Sequence, residues 1–229
     1  MIKKKKKMSI KENLLQIKSQ LPQNITLVAV SKTKPVADLM EAYDAGQRIF
    51  GENKIQEMTE KWEEMPKDIE WHMIGHVQTN KVKFMAEYVS LIHGVDSLKL
   101  LEEINKQAKK HNRVIDVLMQ MYIAEEETKF GLDENELQEI LNSEEFKTLE
   151  NIKIVGLMGM ATFTDNQNQI KKEFLHLKSI FDKNQELKTE NCQLNTISMG
   201  MSGDYKLAID CGSTMVRIGS SIFGNRNYQ

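Results

Sequence analysis

Ile25-Thr-Leu-Val-Ala-Val-Ser-Lys-Thr-Lys-Pro-Val-Ala-Asp-Leu-Met-Glu-Ala-Tyr-Asp-Ala-Gly-Gln-Arg-Ile-Phe50 is the stretch on which the fold turns. It opens on a short apolar, β-branched run, Ile25 to Ser31, which reads as a strand. Val36 to Ala45 then carries apolar residues at helical spacing (Leu39, Met40, Tyr43) and stops at Gly46. Arg48-Ile-Phe50 is a second short strand ending at Gly51. One β-α-β unit is therefore complete within about thirty residues, the length such a unit needs.

The same alternation continues through the chain, although no sequence repeat accompanies it. Lys54 to Met65 is a polar amphipathic helix, and Glu70 to Ile74 a strand ending at Gly75. Helical residues run from about Asn80 to Glu87. Tyr88 to His93 is a strand, and Ser97 caps a helix with Leu98, Leu100, Leu101 and Ile104 on one face. Val114 to Tyr122, Ile152 to Met160, Leu194 to Ser198 and Thr214 to Ile218 are further strands. Asp133 to Leu141, Asn168 to Asp182 and Tyr205 to Cys211 are the helices between them. Several strands are continuously apolar, as expected of a parallel sheet covered by helices. Eight such units in about 200 residues predict a single closed (β/α)8 barrel of the TIM type. An open doubly wound sheet is the alternative, but no Gly-rich dinucleotide turn is present. Ser9 to Leu21 is an extra leading helix, expected to close the barrel floor.

Composition sets the outer limits. The chain has 229 residues, 31 basic and 33 acidic, with two cysteines. No apolar run approaches the roughly 20 residues of a membrane-spanning helix. Near-neutral charge gives no broad basic surface, so neither nucleic acid nor membrane is an expected partner. Cys192 and Cys211 are read as reduced thiols of a cytoplasmic protein. Residues 1–8 form a basic leader expected to be disordered, and residues 9–229 the barrel domain. Setting the five leader lysines aside moves the formal net charge from −2 to −7. An anion site must then come from local geometry rather than from the overall field.

In such a barrel the chemistry sits where the strands exit at their C-terminal ends. The exits carry Ser31-Lys-Thr-Lys-Pro35, Gly51-Glu-Asn53, Gly75-His-Val-Gln-Thr-Asn-Lys81, Ser198-Met-Gly-Met-Ser-Gly-Asp204 and Arg217-Ile-Gly-Ser-Ser221. Gly200, Ser202 and Gly203 make one small-residue turn, and Gly219-Ser220-Ser221 another. Both lie after strands seven and eight, where these barrels often hold phosphate. Lys32 follows a buried run, so its amine is aimed at the barrel mouth. Beside apolar walls the charged form is disfavoured and the amine can attack a carbonyl. A lysine, a phosphate cradle and Arg217 at one face together specify a ligand with an aldehyde and a phosphate. Pyridoxal 5′-phosphate (PLP) has both. Arg217 facing the pyridine nitrogen would keep it unprotonated, a weak electron sink that supports transamination and decarboxylation poorly.

Longer motifs carry a resemblance. Leu27 to Pro35, Phe50-Gly-Glu-Asn53 with Gln56-Glu57, Trp71 to Lys81, Gly156-Leu-Met158, Ser198 to Asp204, and Gly212 to Gly219 with Ile222-Phe-Gly224 resemble the YggS/PROSC family of pyridoxal phosphate homeostasis proteins. The match runs in register from about Ile25 to Tyr228. It implies a barrel like the N-terminal domain of alanine racemase, with PLP held as a Schiff base on Lys32, and Lys34 as the weaker candidate. It also implies phosphate contacts from Ser202, Gly219 and Ser220, with Arg217 at the ring nitrogen and Asn53 in the pocket. Met158 and Met199 are expected to border the ligand. The implied role is intracellular PLP homeostasis without catalytic turnover, in a monomer that hands PLP to PLP-requiring apo-enzymes. The alternatives are a PLP-dependent amino-acid racemase and a lysine Schiff-base aldolase.

A two-base racemase needs a second acid/base group across the cofactor. With ten residues after Gly219 no further domain is expected to supply one. Tyr122 and His76 are the residues to consider for that role. His72 and His76 stand four apart, but in a strand rather than a helix, so no metal pair is expected. His93, His111 and His176 are read as isolated structural residues.

Overall fold

The computed structural model describes residues 8–126 and 128–224. The expected leader, apart from an exposed Met8, lies outside the described residues. Eight parallel strands form a ring: β1 (Thr26–Val30), β2 (Ile49–Glu52), β3 (Glu70–Met73), β4 (Val89–Val95), β5 (Ile115–Gln120), β6 (Ile152–Met158), β7 (Cys192–Ser198) and β8 (Met215–Ile218). Each pairs with the next, β7 meets β8 at Ser198–Met215, and β8 pairs with β1 over four residues. The ring is therefore the predicted closed (β/α)8 barrel. A two-residue strand, Lys188–Thr189, lies antiparallel to the start of β7 outside the ring.

The helices are α1 (Ile10–Gln20), α2 (Val36–Asp44), α3 (Ile55–Glu64), α4 (Leu98–Lys110), α5 (Glu134–Asn142), α6 (Glu144–Lys147), α7 (Gln167–Asn184), α8 (Tyr205–Asp210) and α9 (Ser220–Phe223). Local chemistry sets their starts. Ser9 with Glu12 and Asp133 with Glu136 form capping boxes for α1 and α5, and the Ser97 hydroxyl takes the Leu100 N–H of α4. Among the described residues no helix is long and apolar enough to cross a membrane.

Strand alternation separates two cores. Outward side chains such as Phe50 and Trp71 pack against helix residues including Leu39, Met58, Leu101 and Phe174. Inward ones, Val28, Leu91, Leu118, Val155, Met158 and Met215, fill the barrel itself.

Two expectations are corrected. After β3 the expected helical residues form a short 3-10 helix, Thr79–Phe84, and not an α-helix running to Glu87. Met85 O takes the N–H groups of Tyr88 and Val89, and the chain then enters β4. The leading helix α1 does not close the floor. It packs in the outer ring between α2 and α9, and Asn13 Nδ2 donates to Ile222 O. The N-terminal end of the barrel instead opens at a pocket of about 260 Å³ lined by Thr26, Glu70, His72, Asp116 and Thr196, among others.

Candidate functional site

Carrying the two-residue alternation past the strand ends sorts each motif into two faces. From inward Val28 and Val30 the next inward position is Lys32; from Gly51 it is Asn53; from Arg217 it is Gly219. A cavity of about 430 Å³ sits at this end of the barrel and is lined by Lys32, Lys34, Asn53, Ser202, Arg217, Gly219 and Ser220, with Met160 and Met201 as apolar wall. Met199 does not line it. Ser198 points inward, so Met199 points outward and is fully buried in the outer core. Met158 lies in the inner core beneath the cavity.

The Lys32 loop is braced from behind by outward-facing residues. Ser31 N–H closes onto β2 at Gly51 O, and Lys34 N–H bonds to Ser31 O, making a tight turn. Thr33 in that turn has φ +64°, a left-handed conformation that a β-branched residue rarely adopts. Its N–H donates to Glu57 Oε1 at 2.6 Å. The Ser31 hydroxyl donates to Glu52 Oε1 at 2.6 Å. Lys61 on α3 joins these groups, donating to Ser31 O (2.9 Å), Glu52 Oε1 (2.7 Å) and Glu57 Oε1 (2.7 Å). Glu52 and Lys61 are both buried. Burial pushes the Glu52 carboxyl up, against the pull of Lys61 and Ser31. Glu52 therefore belongs to the brace, although its motif also holds Asn53. Lys61 was hidden in the sequence within a polar helix, where an exposed position is the ordinary reading. On the other side Lys34 Nζ donates to Phe223 O at 3.0 Å.

The turns after β7 and β8 are stitched together. Gly219 N–H donates to Ser202 Oγ at 3.3 Å, leaving the serine a proton to donate. A Cβ at Gly219 would stand 3.0 Å from Val30 O and 3.2 Å from Val30 Cβ, so the glycine lets β8 close against β1. Asp204 accepts the Met201 N–H at 2.6 Å and also lines the cavity. Burial raises its carboxyl, while that N–H and Arg217 pull it down. The cavity thus offers two lysine amines, two serine hydroxyls and a guanidinium, which fits a phosphorylated aldehyde with a ring nitrogen.

Arg217 is almost wholly buried. Its Nη1 donates to Ser198 O (2.9 Å) and Ser198 Oγ (2.6 Å), and its Nη2 to Gly159 O (3.3 Å). Burial lowers it to about 10, with Asp204 acting the other way, so it stays charged at neutral pH. Behind it, His93 Nδ1 lies 3.0 Å from Ser198 Oγ, and His93 Nε2 lies 3.0 Å from His72 Nδ1. His93 is therefore not isolated. Burial brings His72 down to about 3 and His93 well below its ordinary range, so both imidazoles are neutral. His72 and His76 do not converge, because His76 sits at the surface beside Asp96 and Phe130. The Tyr122 hydroxyl turns to Glu126 O, and neither it nor His76 lines the cavity. Among the described residues no three His, Cys, Asp or Glu side chains gather as metal ligands.

The family model described as "Alanine racemase, N-terminal domain" matches residues 7–227. The chain is 37% identical over 234 residues to the pyridoxal phosphate homeostasis protein of Pasteurella multocida, covering 96% of this chain and 99% of that one. It belongs to the pyridoxal phosphate homeostasis protein family. The family member of Aquifex aeolicus is 41% identical over 204 residues, covering 88% and 87% of the two chains. PipY of Synechococcus elongatus PCC7942, solved with PLP bound, superposes with a TM-score of 0.86 at 34% identity, covering 94% of this chain and all of that one. Alanine racemase of Clostridium difficile 630 shares the fold, with a TM-score of 0.79 at 19% identity, over 96% of this chain and 61% of that one.

Proposed function

We propose that this chain binds PLP, holds it covalently on Lys32, and serves intracellular PLP homeostasis without turning over a substrate. The observation that carries this reading is the convergence of Lys32, Arg217 and the Ser202–Gly219 stitch on one cavity at the strand exits. When bound, PLP supplies an aldehyde that condenses reversibly with an amine. Lys32 provides that amine from a turn held on both sides. Ser202, Ser220 and the backbone around Gly219 provide donors for a phosphate, and Asn53 and Met201 border the ring. Arg217 gives the ring nitrogen a permanently charged donor, which disfavours its protonation. A racemase needs acid/base groups on both faces of the cofactor, and Tyr122 and His76 both lie away from the cavity. The protein is read as a cytoplasmic monomer that passes PLP to apo-enzymes.

Borohydride reduction after incubation with PLP tests the reading. Peptide mapping is expected to find the label on Lys32, with Lys32→Ala colourless and Lys34→Ala still labelled. Label confined to other lysines would reject it. Entry of solvent deuterium at Cα of an amino acid at a Lys32-dependent rate would favour the racemase alternative.

A further inference from the structure

The barrel interior is not uniformly apolar. Arg217, Ser198, His93 and His72 stand in a row across it, each within hydrogen-bond distance of the next. The protons in this row follow from the residue types. Arginine only donates, so Ser198 Oγ accepts from Arg217 Nη1 at 2.6 Å. Ser198 is fully buried and must place its own hydroxyl proton. His93 Nδ1, at 3.0 Å, is the acceptor within reach. That puts the His93 proton on Nε2, from which it donates to His72 Nδ1 at 3.0 Å. His72 in turn carries its proton on Nε2, and His72 lines the pocket at the barrel floor.

We infer that Ser198, His93 and His72 are positioning residues, a one-way hydrogen-bond chain from cavity to floor that locks the Arg217 guanidinium in its cavity-facing pose. Ser198 clamps one guanidinium nitrogen with both its carbonyl and its hydroxyl, while Gly159 O holds the other. The hydroxyl keeps that orientation only while His93 takes its proton, and His93 accepts at Nδ1 only while His72 accepts at the far side. Because a charged guanidinium cannot accept a proton, the row cannot reverse. It is a lock on Arg217, not a path for protons into the cavity. Resting on the PLP-binding reading, the lock sets what the ring nitrogen of bound PLP meets.

Two measurements test this, and the first does not depend on PLP. In the apo full-length chain with ring-15N-labelled histidine, long-range proton–nitrogen correlations are expected to show His93 and His72 neutral with both protons on Nε2. A proton on His93 Nδ1 would overturn the chain's direction. The second uses PLP carrying 15N in its ring. In the wild type the ring nitrogen should read as unprotonated and hydrogen-bonded. Ser198→Ala and His93→Phe are expected to move that signal in the same direction and to weaken PLP retention about 10- to 100-fold, the loss of one hydrogen bond to a charged group. An unmoved signal with unchanged retention in both variants would refute the lock. A wild type that takes up no PLP would sink the proposed function instead, while the histidine measurement would still decide the chain.

Discussion

Replacing Lys61 by methionine keeps the aliphatic stem and removes the charge, which isolates the brace behind Lys32. The ammonium has three acceptors, Ser31 O, Glu52 Oε1 and Glu57 Oε1. Without it, the fully buried Glu52 keeps the Ser31 hydroxyl, and its Oε2 has no partner among the described residues. Removing one partner of a buried ion pair costs about 3–5 kcal/mol, because a charge is left without compensation. Glu52 can escape that cost by staying protonated, which makes the loss depend on pH. Its carboxyl is already raised in the folded protein by burial, and losing Lys61 raises it further. Below the unfolded value, near pH 4.5, both states hold the proton, so the variant should lose only about 1–2 kcal/mol from the remaining hydrogen bonds. Above the wild type's own raised value its folded carboxyl ionises while the variant's does not, so the difference between the two grows at about 1.4 kcal/mol per pH unit. The loss should therefore be larger at pH 7, approaching about 3–5 kcal/mol, and level off once the variant's folded carboxyl ionises. Adding Glu52→Gln should recover about 2–3 kcal/mol of it at pH 7, since an amide carries no charge to desolvate. Urea denaturation followed by circular dichroism at the two pH values measures this. A loss of equal size at both, or one below about 1 kcal/mol at pH 7, would refute the idea that Lys61 compensates a buried carboxylate.

Gly156→Ala should be severe. The added Cβ would stand 1.8 Å from Thr196 O, so β7 must move away from β6; a loss above about 3 kcal/mol is expected in urea titration, and one under about 1 kcal/mol would contradict the packing. Thr33→Gly relieves a left-handed threonine, worth about 1–3 kcal/mol, against about 0.5–1 kcal/mol of extra chain entropy. Its melting temperature is expected to rise, and a clear fall would show that the turn is not strained. Cys192 and Cys211 are buried, and burial pushes the Cys192 thiol up to about 11. A disulfide-exchange reagent at neutral pH should label the native protein slowly and both thiols quickly in denaturant; rapid native labelling would contradict their burial.

Most of the fold was legible because its signals are local. Apolar β-branched runs closed by glycine marked the strands, and stripes such as Leu100, Leu101 and Ile104 marked the helices. What escaped depends on tertiary placement. The side of the barrel that α1 covers is set by contacts with α9, some two hundred residues away. The exits were legible as a polar cluster, and Lys32 as aimed into the mouth, but Met199 was expected at the ligand and lies in the outer core. Extending the strand period by one or two residues separates Lys32, Asn53 and Gly219 from Ser31, Glu52 and Met199. The same period puts Met199 on the outward face, one residue past inward Ser198. The row behind Arg217 had no such signal, since His93 meets Ser198 across 105 residues and only barrel closure brings them together.

The two faces of the exit motifs explain why those motifs are long. Inward positions build the cavity and its backing row; outward positions build the brace. Both sets contain a buried charge, Arg217 inside and the Lys61–Glu52 pair outside. Buried charges are weak sources of stability, because desolvation offsets much of the attraction. Their hydrogen bonds are directional, however, and apolar packing is not. An apolar core would leave the Ser31–Lys34 turn and the guanidinium several nearly equal poses. On the proposed function, a site that holds one small ligand by a single amine and a single ring nitrogen gains more from a unique pose than from an extra increment of folding energy. On this view the brace and the row serve the same end from opposite faces of the strands. On the proposed function, loosening the row should weaken PLP retention, and loosening the brace should weaken both retention and folding stability.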